Sequence, residues 1–234
     1  MPSTSATSTK GTRQQLIDAG IEVFGLYGFQ GATTRQIAKV AGVNLAAIPY
    51  YFGGKEDLYR AVVETIVEQI VQEGFNSKRE LCMPEDPDSL TDDELIELTM
   101  KNIALFADCL EEEEKGAAIK LIIAREQILP STAFPILYER LSRPLYDLFC
   151  ETIGRLMRRD RNDPEVIVQV HSLIAQVIFF SIGRASLKKQ LNSEMLSAEH
   201  IETILNVVRM NTRAILNNLR SYERPAKKDG TADD

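Results

Sequence analysis

The chain has no tryptophan, two histidines and three cysteines among its 234 residues. Cys82, Cys109 and Cys150 are far apart and form no CxxC pair, and His171 and His200 belong to different predicted helices. This spacing excludes a disulfide framework and a cysteine–histidine zinc site, so the thiols read as reduced and no metal is expected. There is no Gly-rich phosphate loop, nucleophile elbow or HExxH pair, which removes the enzyme classes built on them. No catalytic residue and no cofactor are therefore expected. No apolar run approaches the ~18 residues of a membrane span; stretches such as Val177–Phe180 are short, and no membrane partner is expected. The opening residues MPSTSATSTK lack an apolar signal core, so the expected location is the cytoplasm. Period-two alternation and internal repeats are absent, which leaves an all-α fold.

Hydrophobic residues make up 44% of the chain, enough for a sizeable core. The net charge of −7 is unevenly spread. Residues 1–60 carry Lys10, Arg13, Arg35, Lys39, Lys55 and Arg60 against Asp18, Glu22, Glu56 and Asp57, a net of +2, which leaves −9 on the remainder. Screening limits repulsion from the acidic part to about a Debye length of ~10 Å, so the basic head can still meet phosphates. Its small excess predicts few phosphate contacts per subunit, and useful affinity then calls for two subunits.

Residues 1–9 are Ser/Thr-rich and read as disordered. Gly11 to Tyr27 shows apolar residues at helical spacing (Leu16, Gly20, Val23, Phe24, Tyr27), stopped by Gly28-Phe29-Gln30-Gly31. Thr33 and Gln36 form a capping-box pattern for a short helix ending near Ala41. Gly42 supplies a tight interhelical turn, and Asn44 caps a following helix from Leu45 to about Tyr51. Within that helix, Pro49 deletes a hydrogen bond to the Leu45 carbonyl at a cost of roughly 3 kcal/mol, which predicts a kink or a 3₁₀ turn. The face Leu45-Ala46-Ala47 is apolar, so phosphate contacts should supply more of the affinity than base hydrogen bonds.

With a long helix from Lys55 to about Leu81, residues 10–70 resemble the DNA-binding domain of the TetR/AcrR family of bacterial regulators. The resemblance rests on Phe24, Gly28, Phe29, Thr33, Thr34, Ile37, Ala38, Ala41, Gly42, Val43, Ile48, Tyr51, Phe52, Lys55, Leu58 and Tyr59. NLAAIPYYFGGKEDLY, REQILPSTAF and VHSLIAQVIFF further resemble the CecR-like subgroup. The resemblance implies an N-terminal three-helix helix-turn-helix domain (motif 33–52), joined by the long helix to a helical dimerisation and ligand domain at 71–222, with a disordered tail at 223–234. It implies a dimeric DNA-binding regulator, a repressor released by a small-molecule effector; the alternative is control by a protein partner or no ligand at all. The implied DNA contacts are Thr33, Thr34, Arg35, Asn44, Leu45, Ala46, Ala47, Tyr50, Tyr51 and Lys55. The implied partners are double-stranded DNA with a palindromic operator, a second copy of the chain and an unidentified small molecule.

In the body, Thr91 with Glu94 reads as a capping box for a helix to about Leu110, and Glu111–Glu114 as a solvated charge run. After an interruption at Pro130-Ser131-Thr132, a helix runs to about Arg159, with Pro135 in its first turn and a kink at Pro144. Asp163-Pro164 starts a helix to Leu187, apolar nearly all round, and Ser197 starts the last one, to about Ser221. The last two long helices expose more apolar surface than one body buries, which predicts a four-helix bundle between two copies. Candidate ligand-pocket residues are Phe106, Arg125, Gln127, Phe134 and His171. Ordinary structural roles compete at each: a helix-end cap for Arg125, a core or interface position for His171, core packing for the phenylalanines.

Overall fold

The computed structural model describes residues 11–75, 89–104 and 114–221. These are helical with connecting turns, and no strand occurs among the described residues. They fall into two compact units, the first comprising residues 11–75 and 114–145, the second 89–104 and 146–221.

The first unit contains α1 (Thr12–Gly31), α2 (Thr34–Ala41), α3 (Ala47–Phe52), α4 (Lys55–Phe75), α6 (Glu114–Ile128) and α7 (Phe134–Leu137), with α5 (Asp92–Ala104) lying in the second unit. Along α1, Leu16, Ile17, Gly20, Val23 and Phe24 are buried, the i, i+3, i+4 stripe that a helix lays on a core. Gly28 breaks the helical backbone at φ 70°, ψ 172°, a conformation essentially limited to glycine, and one further turn closes at Gly31. Ile37, Ile48, Leu58, Val62 and Ile66 complete the core with Ile122 of α6 and Leu137 of α7. Each such side chain, fully buried, contributes about 1.5–3 kcal/mol. Phe24 meets Tyr59 edge-on at 4.8 Å between ring centroids. Besides the expected head, which ends near residue 70, the compact first unit holds α6 and α7. The reason is packing: α6 lies directly on α1, and a Cβ added at Gly25 would stand 2.6 Å from the Ala118 Cβ.

The second unit contains α5, α9 (Pro164–Ile182), α10 (Arg184–Gln190), α11 (Ala198–Leu219) and most of α8 (Arg143–Leu156). Its core is Leu95, Ile103, Phe149, Ile153, Val170, Leu173, Val208 and Leu216 with their neighbours. Ion pairs tie α5 to α11, Glu97 to Arg213 at 2.7 Å and Asp93 to Arg220 at 2.9 Å. Cys150 is a free buried thiol whose pKa burial pushes up; Cys82 and Cys109 lie outside the described residues.

Several sequence expectations appear here as physical features. The Thr91–Glu94 capping box forms, with the Thr91 N–H donating to Glu94 at 2.8 Å. Asp163 caps α9 by accepting from the Glu165 N–H at 2.8 Å. Ser197 caps α11, and His200 completes a reciprocal pair. The kink expected at Pro144 is a π-helical turn, Tyr138–Ser142, which absorbs the missing N–H of the proline. The expected helix to Leu187 instead breaks at Gly183, where a Cβ would stand 3.0 Å from the Phe179 carbonyl oxygen. The end of the helix expected to reach Leu81, the end of the one expected to reach Leu110, and most of the 111–114 charge run lie outside the described residues.

The uninterrupted apolar runs of α9 are short, as expected, yet the helix as a whole is apolar. Despite Gln169, His171 and Gln176, this 19-residue helix reaches a mean hydropathy of 1.7, long and apolar enough by those two measures alone to cross a membrane. Only 28% of that window is buried within the chain. Val170, Leu173, Ile174 and Val177 face inward, while Val168, Phe179 and Ile182 are each at least 60% exposed. Within one chain α9 is therefore covered on one side.

Candidate nucleic-acid interface

The turn between α2 and α3 is built from backbone requirements. Thr33 caps α2: its hydroxyl accepts from the Gln36 N–H at 3.2 Å, and its own N–H donates to the Gln36 Oε1 at 2.8 Å. The box uses the N–H groups of Thr33 and Gln36, and those of Thr34 and Arg35 lie between them at the positive end of the helix. Gly42 closes α2 in the left-handed region at φ 67°, with its N–H on the Ala38 and Lys39 carbonyls. Asn44 then makes an Asx turn, its Oδ1 accepting from the Ala46 N–H at 2.9 Å.

α3 begins at Ala47, two residues later than sequence reasoning sets it, and this removes the expected proline penalty. The Ile48 N–H, not that of residue 49, reaches the Leu45 carbonyl, at 3.2 Å. Pro49 thus occupies the first turn, where a helix needs no N–H from it. The expected 3₁₀ character is present in this i→i+3 turn, and the expected interior break is not.

The side chains sort by exposure. Ile48 is buried and anchors α3. Thr33, Arg35, Asn44, Leu45, Ala46, Pro49, Tyr50 and Tyr51 are exposed, with Thr34 and Ala47 half-buried. Tyr50 is 81% exposed and meets Tyr51 edge-on, 4.9 Å between centroids. Lys55, at the start of α4, is half-buried; its ammonium donates to the Gln30 carbonyl at 3.4 Å and lies 4.7 Å from the Phe29 ring centroid. These two contacts hold the cation at the junction of α1 and α4 rather than letting it sweep through solvent.

Supports behind this surface were missed from sequence. The Arg13 guanidinium lies over the Phe52 ring, 5.3 Å from its centroid, and braces the end of α3. Arg125 donates to the carbonyls of Phe24 at 3.0 Å, Gly25, and Leu26 at 3.3 Å, the unsatisfied end of α1 ahead of Gly28. Glu126 accepts from the Tyr59 hydroxyl at 2.8 Å. Burial, then the Glu126 carboxylate, pushes the Tyr59 phenol pKa up. The detectable signal was Arg125 in the last turn of α6, which the sequence left between a pocket contact and a helix-end cap.

The five pocket candidates have distinct surroundings. Arg125 is the helix-end cap just described. Gln127 is exposed, and Phe134 is half-buried and stacked on Tyr138 at 5.9 Å. These three belong to the first unit. His171 belongs to the second, exposed on α9, stacked on Tyr146 at 4.6 Å and 12°, with Nδ1 2.9 Å from the Ile167 carbonyl oxygen. Phe106 lies outside the described residues. No cluster of three or more metal-ligating side chains occurs among the described residues.

Residues 16–62 match the model of bacterial regulatory proteins of the tetR family, and residues 94–219 match that of the C-terminal domain of the HTH-type transcriptional dual regulator CecR. The chain is 32% identical to the CecR regulator of Shigella flexneri over 211 residues, covering 88% of this chain and 92% of that protein. It belongs to the TetR family. Its C-terminal region is of the CecR type. A shorter match, 44% over 59 residues, links it to the HTH-type regulator TtgW of Pseudomonas putida, covering 25% of this chain and 44% of that protein. A transcriptional regulator from Rhodococcus sp. superposes with a TM-score of 0.54 at 20% identity, covering 86% of this chain and 96% of that one. The multidrug binding protein EbrR, complexed with imidazole, superposes with a TM-score of 0.54 at 18% identity, covering 94% and 100%. These likenesses establish the fold. The TetR-type head is a DNA-binding helix-turn-helix, and the chain is a transcription regulator.

Proposed function

We propose that this TetR-family regulator acts in the cytoplasm as a homodimer on a palindromic operator, represses transcription, and is released by a small-molecule effector. The observation that carries the reading is the turn from Asn44 to Pro49, which presents Asn44, Leu45, Ala46 and Pro49 to solvent while Ile48 and the half-buried Ala47 anchor it on the core. Around it, Thr33 and Thr34 with the free N–H groups of α2 meet one phosphate, a helix N-terminus being a ready anion site. Arg35, Tyr50, Tyr51 and Lys55 contact the backbone; Asn44, Leu45, Ala46 and Ala47 enter the major groove. The open apolar stripe of α9, Val168, Phe179 and Ile182, supports a second copy as partner. Two heads related by a two-fold axis would read half-sites about 34–36 Å apart. Control by a ligand rests on the family resemblance, with Gln127 and Phe134 of the first unit as candidate contacts.

Footprinting on the DNA flanking the protein's own gene tests this reading. A protected palindrome supports class, symmetry and half-site spacing together; absence of protection at low salt sinks the reading. In the same assay Lys55→Ala lowers affinity and reduces the salt slope by about one.

A further inference from the structure

The chemistry of the reading face narrows what DNA it recognises, an inference that rests on the DNA-binding reading above. Leu45 is 43% exposed, and Ala46 and Pro49 are exposed beside it. They line a concavity of about 530 Å³ whose rim includes Thr34 and Gly54. Because α3 starts at Ala47, the Pro49 ring joins this surface instead of interrupting a helix interior. None of these apolar side chains donates or accepts a hydrogen bond.

The polar residue on the same turn is constrained. Recognition of adenine by an asparagine uses its oxygen and its amide nitrogen together. The Asn44 Oδ1 is already engaged by the Ala46 N–H at 2.9 Å, and turning the amide toward a base would give up this bond. Arg35 and Tyr50 are exposed as well; assigned above to phosphates, they fix register without reading sequence. Among the groups that unmodified base pairs display in the major groove, the thymine C5 methyl is the apolar one.

We propose that the chain discriminates its operator mainly through thymine methyl groups packed on Leu45, Ala46 and Pro49. Removing such a methyl leaves every base hydrogen-bonding group intact and loses about fourfold in affinity, the equivalent of one buried methyl-sized group. One methyl in each half-site of a two-fold operator then gives about sixteenfold.

The test starts with selection of tight binders from a random duplex pool at low salt, using the full chain. The best duplex is then compared with the same duplex carrying deoxyuridine at every thymidine, for the natural chain and for Leu45→Ala. The expected result is a loss of about tenfold or more for the natural chain and a loss of about fourfold or less for Leu45→Ala. Equal losses in both proteins, or no loss in the natural chain, would overturn the proposal while leaving DNA binding intact. Recovery of no duplex at all would overturn the DNA-binding reading and this proposal with it. Unchanged helical circular dichroism and melting of Leu45→Ala establish that the variant is folded.

Discussion

The Tyr59 hydroxyl donates to the Glu126 carboxylate at 2.8 Å, with the two residues 3% and 2% exposed. The other Glu126 oxygen accepts from the Ser131 N–H at 3.1 Å. One bond thus joins α4, which carries α3 on its N-terminal side, to the last turn of α6, and the neighbouring Arg125 caps α1. Tyr59→Phe leaves a buried carboxylate oxygen without its donor and should destabilise the fold by about 1–3 kcal/mol. Adding Glu126→Gln to Tyr59→Phe should recover part of that loss, because the unpaired buried charge is gone while the amide oxygen can still accept from the Ser131 N–H. Urea denaturation of the two variants checks this, and an unshifted midpoint in Tyr59→Phe would show that the bond contributes nothing.

The same pair makes a prediction about alkaline pH. Burial first, then the Glu126 bond and charge, raises the Tyr59 pKa above its ordinary value near 10. A raised pKa means the folded state favours the neutral phenol. The resulting stability is fully present below about pH 10 and is lost as pH rises from there toward the folded value. Stability measured from about pH 9 to 11 should therefore fall more steeply in the natural chain than in Tyr59→Phe. On the acid side, the Thr91 backbone bond lowers the Glu94 pKa and the Arg213 bond lowers that of Glu97, so their small, solvent-screened contributions fade only as pH drops below the usual carboxylate range.

Two glycines should respond differently to alanine. At Gly25 the new Cβ would stand 2.6 Å from the Ala118 Cβ and 2.8 Å from its Cα, so one of two helix backbones must move. Overpacking of this kind costs about 1–3 kcal/mol. At Gly42 the Cβ meets nothing within 4 Å, and only the left-handed backbone at φ 67° resists, by about 1 kcal/mol. Thermal melts rank the two, and a Gly42→Ala variant less stable than Gly25→Ala would contradict the close α1–α6 contact.

What the sequence disclosed was local chemistry. Thr33 with Gln36, Thr91 with Glu94, Asp163 with Pro164, and Ser197 each announce a helix start, because a cap is made by residues two or three apart. The apolar stripe of α1 and its stop at Gly28 were legible for the same reason. Non-local contacts were not. Nothing in the order of residues says that Arg125 lies on carbonyls about 100 positions earlier, or that Arg13 covers Phe52. The helix break at Gly183 was also hidden, since Val177–Ile182 continues an apolar period into it.

Pro49 separates the local rule from its context. A proline in a helix interior costs about 3 kcal/mol, and one in the first turn costs little. Because the Leu45 carbonyl is served by the Ile48 N–H, Pro49→Ala should change folding stability by less than about 1 kcal/mol. A gain of about 3 kcal/mol in urea denaturation would mean that α3 extends back to Leu45 and that the proline does interrupt it.

The outer face of α9 bears on assembly. Val168, Phe179 and Ile182 lie on exposed positions of one helix, 66%, 69% and 60% exposed, and Met210 of α11 is 64% exposed. An aromatic and several aliphatic side chains left open on the two long helices of a unit with its own core match the apolar centre of a subunit interface. Phe179→Asp would bury a charge at the centre of a homodimer but meets only solvent in a monomer. Light scattering at micromolar concentration should therefore give a dimer for the natural chain and a monomer for Phe179→Asp, with helical circular dichroism retained. Operator affinity should fall together with dimerisation, because few phosphate contacts per head leave a single subunit weak. A natural chain that is a monodisperse monomer, or a Phe179→Asp variant that remains a dimer, would place the subunit contact elsewhere or remove it.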